Sequence, residues 1–169
     1  MVKNAISIMS GARHLAGKIT CVIALLTAVP SLAFARSTDQ QANAAYELVS
    51  SGCIAANNEI PFFKAPPDSI SRTGVGESVE EKRRYNNSQV LTLFGYGKLF
   101  IEELIVSADS VPDELKPIFA LSLFEFLSRY GVGERREVGE YYYGDGLAGL
   151  TVRFDRKRLT KLKWTCERD

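Results

Sequence analysis

Histidine, methionine and cysteine are scarce in this chain, and their positions matter more than their counts. The single histidine, His14, both methionines and one of the three cysteines, Cys21, fall within the first 35 residues. Lys3, Arg13 and Lys18 precede an apolar run from Ile19 to Val29, and Pro30-Ser31 leads to Ala33-Phe34-Ala35 before Arg36. Basic, apolar and A-x-A segments in that order are those of a secretory signal peptide, expected to be cleaved after Ala35. The run is shorter than the roughly 20 apolar residues of a membrane span. Cys21 sits too early in it for a lipoprotein anchor. No later stretch is long and apolar enough to span a bilayer, so 36–169 is expected to be one soluble exported domain, periplasmic or secreted.

A mature chain without histidine excludes Ser-His-Asp and Cys-His catalysis and histidine metal ligation. It carries 18 Lys and Arg against 20 Asp and Glu, a near-balance that gives no reason to expect nucleic acid as a partner. The two remaining cysteines, Cys53 and Cys166, are expected to pair in an oxidising compartment. Closing so long a loop is worth about 4 to 5 kcal/mol in the chain-entropy model, and it leaves no thiolate nucleophile.

Carboxylates are the remaining catalytic chemistry. Glu102 and Glu103 are adjacent, hence about 100° apart on a helix, and suit a solvated stripe better than a glycosidase pair. Gly95-Tyr96-Gly97 lacks the third glycine of a dinucleotide fingerprint. No catalytic, cofactor-binding or metal-binding residue is therefore assigned, and no cofactor is expected.

The spacing predicts a first helix from Thr38, whose T-x-x-Q pattern with Gln41 suits a capping box. Its stripe is Ala42, Ala45, Tyr46, Val49, Cys53 and Ala56, with Gly52 a weak point at its end. Pro61, Pro66, Pro67, Gly74 and Gly76 mark 59–87 as a long surface loop, pinned by Phe62 and Phe63. Within it Glu77 to Arg84 is compatible with a short charged helix, and Asn86-Asn87-Ser88 is a glycosylation sequon. Val90, Phe94, Gly97, Ile101, Ile105 and Ala108 at helical spacing favour a helix over 88–109, whole or divided at Gly95 and Gly97, over the alternative of strands, which would alternate poorly at Glu102-Glu103. A further helix is predicted from Ser110 to Gly131, N-capped by Ser110, closed by Gly131 and apolar on almost every side.

After a polar turn at 131–138 the period changes to two. Even positions Val138, Glu140, Tyr142, Ala148, Leu150, Val152, Phe154, Leu162, Trp164 and Cys166, apolar apart from Glu140, form the expected core face. A continuous face requires odd loops, with Gly144-Asp145-Gly146 as one and three or five residues around 155–158 as the other. The expected architecture is α+β, about three helices packed on one face of a C-terminal three-stranded antiparallel β-meander.

The odd positions Tyr141, Tyr143, Arg153, Lys161 and Lys163 then make an outward cationic and aromatic strip, the candidate partner-binding surface. The expected function is an exported non-enzymatic binding or protein-interaction domain of the cell envelope or periplasm. Its partner would be a protein or an anionic envelope component. One alternative is an inhibitor or immunity-type protein against a toxin or envelope-degrading enzyme; the sequence assigns it no inhibitory loop, and the Pro-rich 61–76 segment is the place to look for one. The other is a carboxylate-dependent glycan hydrolase.

Overall fold

Alternation at period two extends through far more of the chain than the meander alone. The computed structural model describes residues 38–55, 57–74, 78–144 and 148–167, which lie in one compact unit; the expected signal peptide at 1–35 lies outside the described residues. Helix α1 (Thr38–Ser51) is followed by β1 (Ser69–Thr73), β2 (Ser78–Tyr85), β3 (Ser88–Gly95) and β4 (Lys98–Ser107). Two 3₁₀ turns, Ala108–Ser110 and Asp113–Leu115, lead to α2 (Lys116–Phe119) and α3 (Leu123–Tyr130). Strands β5 (Glu134–Glu137), β6 (Glu140–Gly144), β7 (Ala148–Asp155) and β8 (Arg158–Cys166) complete it. All eight form one antiparallel sheet in the order β1-β2-β3-β4-β8-β7-β6-β5. Two four-strand meanders thus start at opposite edges and meet where β8 pairs with β4.

The expectation of a three-stranded meander is overturned by this eight-stranded sheet. The segment 59–87, expected as a loop, contains β1 and β2, and Glu77 to Arg84, compatible with a helix, is mostly strand. Alternation in β2 was masked because Glu81 and Arg83 take inward positions that usually hold apolar side chains. Glu81 is buried, with both carboxylate oxygens engaged by the Nε groups of Arg72 and Arg83. That triad fastens the edge strand β1 to β2.

The helix predicted over 88–109 is the β3–β4 hairpin, turning through Tyr96 and Gly97 at φ 52° and 74°. Leu91 pairs with Glu103 but Thr92 pairs with Ile101, so Glu102 is an extra residue, a β-bulge. The bulge changes which parity faces inward: Ile101 is buried before it, Leu104 and Val106 after it. A buried pair three residues apart is what imitates helical spacing.

The helix predicted from Ser110 to Gly131 is divided. Pro117 sits in the first turn of α2, and α3 begins at Ser122, whose hydroxyl accepts from the Glu125 amide while Glu125 accepts from the Ser122 amide. Gly131 closes α3 as expected, at φ 77° with its N–H on the Leu127 carbonyl. Only Phe126 and Tyr130 of α3 are buried, and Phe124 is exposed, so the helix is not apolar-packed all round. The polar turn expected at 131–138 contains edge strand β5.

One row of side chains crosses the middle of the sheet: Val90, Leu104, Trp164, Leu150 and Tyr143, all buried. α1 covers it with Leu48 and Val49, and the Trp164 indole N–H donates to the Leu48 carbonyl at 2.9 Å. Phe62 lies against Trp164, Phe63 stacks on Tyr85, and Phe126 of α3 meets Tyr143 and Phe154. In α1 the buried residues are Leu48 and Val49, while Tyr46 of the predicted stripe is exposed and Ala56 lies outside the described residues. The Gln41 amide nitrogen donates to Ser128 of α3. Cys53 and Cys166 are bonded, Cα–Cα 5.5 Å, joining the residue just past α1 to the end of β8.

Candidate partner-binding face

The helices and the Phe62-Phe63 segment all pack on the Trp164 side, so cross-strand register decides what the opposite face presents. Lys163 pairs with Thr151 and Ile105, and Lys161 with Arg153 and Ser107, placing Arg153, Lys161 and Lys163 together on that outer face. Lys163 Nζ is 2.5 Å from Glu103, which also accepts from Gln89. Arg153 and Lys161 are exposed and have no ion-pair partner among the described residues.

Tyr141 and Tyr143 are not part of this surface. Gly144 pairs with Gly149, enclosing an even number of residues, so the parity of the core face inverts between β7 and β6. Residues 145–147 of that turn lie outside the described residues. Tyr143 consequently faces inward, its hydroxyl donating to the Gly131 carbonyl at 2.9 Å, and burial pushes its pKa up to about 12. Tyr141 packs edge-on against Phe154. Of the three β6 tyrosines the one on the outer face is Tyr142, with the Arg136 guanidinium 3.7 Å above its ring centre.

The loop expectation at the other turn fails as well. Asp155 pairs with Arg158 across two residues, Arg156 and Lys157, at φ 45° and 73°. A bulge at Thr160, whose hydroxyl donates to the Arg153 carbonyl, restores the even parity of Leu162 and Trp164.

Sequence reasoning missed the apolar part of this face. Leu93 lies opposite Phe100 across β3–β4, Leu91 follows along β3, and Ile105 is diagonal to Leu91 across β4. All four are half-exposed or exposed. The available signal was Val90-Leu91-Thr92-Leu93-Phe94, a continuous apolar run such as a strand shows when both faces are apolar. Beyond it, Tyr96 on the β3–β4 turn is nearly fully exposed.

Two clefts flank Tyr46 of α1. One, of about 370 Å³, lies between α1 and β6 and is lined by Ala42, Ala45, Val49 and Tyr142. The other, of about 610 Å³, borders the disulfide and is lined by Ile54, Leu99 and Phe100. Glu134 is the acid of the first, and Lys98 and Glu167 both line the second. Glu102 and Glu103 are successive residues at the β4 bulge, with Glu103 held by Lys163 and Gln89. Among the described residues no three Asp, Glu, Cys or His side chains gather as metal ligands, and no helix is long and apolar enough to cross a membrane. No protein-family model, no curated protein and no solved structure matches this chain.

Proposed function

We propose that this chain is an exported, non-enzymatic binding domain of the cell envelope or periplasm that engages a protein partner through the uncovered face of its sheet. The observation carrying this reading is the outer-face strip of Leu91, Leu93, Phe100 and Ile105, bordered by the Lys163–Glu103 pair and by Arg153 and Lys161, which have no ion-pair partner among the described residues. An apolar, partly aromatic centre inside a charged rim is the make-up of a protein interface, and Arg153 and Lys161 favour an acidic rim opposite. The formed disulfide and the leader-like first 35 residues support export.

The test is photo-crosslinking in envelope extract, with the reactive side chain placed at Leu93 or, as control, at exposed Glu47 on α1. A discrete adduct from position 93 alone, lost in Phe100→Glu and in Arg153→Glu/Lys161→Glu, is expected. Adducts that are the same from both positions, or that survive both variants, would remove the face as a partner site.

A further inference from the structure

The charge of the mature chain is divided unevenly. Residues 153–163 hold six basic side chains and one acid, Asp155, leaving 12 basic and 19 acidic residues in the rest of 36–169. The β7–β8 turn places three of these cations, Arg156, Lys157 and Arg158, at one end of the sheet, where they are exposed with no ion-pair partner among the described residues. Of the acids at this end, Glu125 caps α3, while Asp155 stands opposite Arg158 across the turn and Glu140 opposite Arg153.

Two apolar side chains stand at the same end. The Leu123 amide donates to the Lys157 carbonyl, which sets the first turn of α3 beside the basic tip and leaves Phe124 76% exposed. The Phe154 amide donates to the Gly139 carbonyl, which brings up the β5–β6 turn with Val138 89% exposed.

We infer that this end of the domain docks on an anionic lipid surface, with Phe124 and Val138 entering the headgroup layer and Arg156, Lys157 and Arg158 meeting lipid phosphates. Protruding apolar side chains on convex turns need a yielding surface, whereas a protein partner would need matching pits and a nucleic acid a basic groove with stacking platforms. The charge division also orients the molecule, since its acidic remainder is repelled by the surface that attracts the tip. The sheet face assigned to a protein partner stays free in this pose, so the two proposals fail independently.

The test is co-sedimentation of the disulfide-bonded chain 36–169 with vesicles of phosphatidylcholine alone or mixed with phosphatidylglycerol. Binding is expected only to the mixed vesicles and should weaken as salt is raised. Each basic residue near such a surface is worth roughly fivefold in partitioning, so Arg156→Gln/Lys157→Gln should lower it about 25-fold. Phe124→Ser should lower it severalfold with the charge unchanged. Equal binding to neutral vesicles, no sedimentation with the anionic ones, or an unaffected double variant would each overturn the inference. So would competition by soluble polyphosphate combined with indifference to Phe124→Ser, which would mark a general polyanion site. Circular dichroism and Trp164 emission identical to the parent qualify each variant as folded.

Discussion

The indole of Trp164 occupies the space that a β-carbon on Gly52 would need, so the last turn of α1 meets the centre of the sheet with no side chain between them. The indole N–H is satisfied one turn earlier, at the Leu48 carbonyl. Gly52→Ala forces the ring or the helix end to move and should cost about 1 to 3 kcal/mol, the range for overpacking a core. Urea unfolding followed by Trp164 emission measures it, because the chain has one tryptophan. Trp164→Phe, followed by circular dichroism, should make the Gly52→Ala cost smaller; an unchanged cost would show that the indole is not the obstruction.

Cys53 and Cys166 are separated by 113 residues. Replacing both with alanine should lower stability by roughly 4 to 5 kcal/mol if loop closure in the unfolded chain is the main effect. Calorimetry of the double variant reads this directly, and a melting temperature within a degree or so of the parent would contradict it.

Glu81 gives the sheet a pH dependence. Burial would raise its pKa, but hydrogen bonds and charge from Arg72 and Arg83 more than offset that and hold it below the usual carboxylate range. The stabilisation is therefore fully present above the unfolded value, about 4.3, and is lost as pH falls through the lower folded value. Glu81→Gln should cost roughly 1 to 3 kcal/mol near neutrality, and the gap to the parent should close in acid. Denaturant titrations at stepped pH follow the gap. Amide exchange in Ser69–Thr73 should rise in the variant, since Arg72 loses its anchor.

The β7–β8 turn holds two side chains where glycine or asparagine is favoured. Arg156 and Lys157 both have positive φ, and a left-handed conformation costs a non-glycine residue on the order of 1 to 2 kcal/mol. Arg156→Asn/Lys157→Gly should stabilise the domain by roughly 1 kcal/mol or more while weakening its sedimentation with anionic vesicles. A variant that is more stable and binds as before would confirm the turn's strain and overturn the docking of its charges on an anionic surface.

What could be read from sequence followed local periodicity, and what could not followed its interruptions. The pairing of Cys53 with Cys166 was legible because only two cysteines follow residue 35, and the inward set Leu150, Val152, Phe154, Leu162 and Trp164 because β7, and β8 beyond its bulge at Thr160, alternate cleanly. Glu102 broke the alternation in β4 and produced a helical spacing from a strand. Inward Glu81 and Arg83 concealed β2 among polar residues. The tyrosines of β6 were assigned to the wrong face because parity passes through the length of a turn, which composition does not state. Of the five expected surface residues, the three cations lie on the outer face and the two tyrosines do not. The Ser122-x-x-Glu125 pattern was a readable helix start hidden inside a longer apolar stretch.

The position of β8 decides what an incomplete chain would be. Among the described residues β8, the last strand in sequence order, is an interior strand of the sheet, lying between β4 and β7 and pairing with both. Without it, the N-terminal and C-terminal strands would form separate ribbons with open edges, the species most exposed to aggregation. Assembly of this domain is thus an act of the whole chain, and a premature stop just before Arg158 would abolish the fold instead of trimming it.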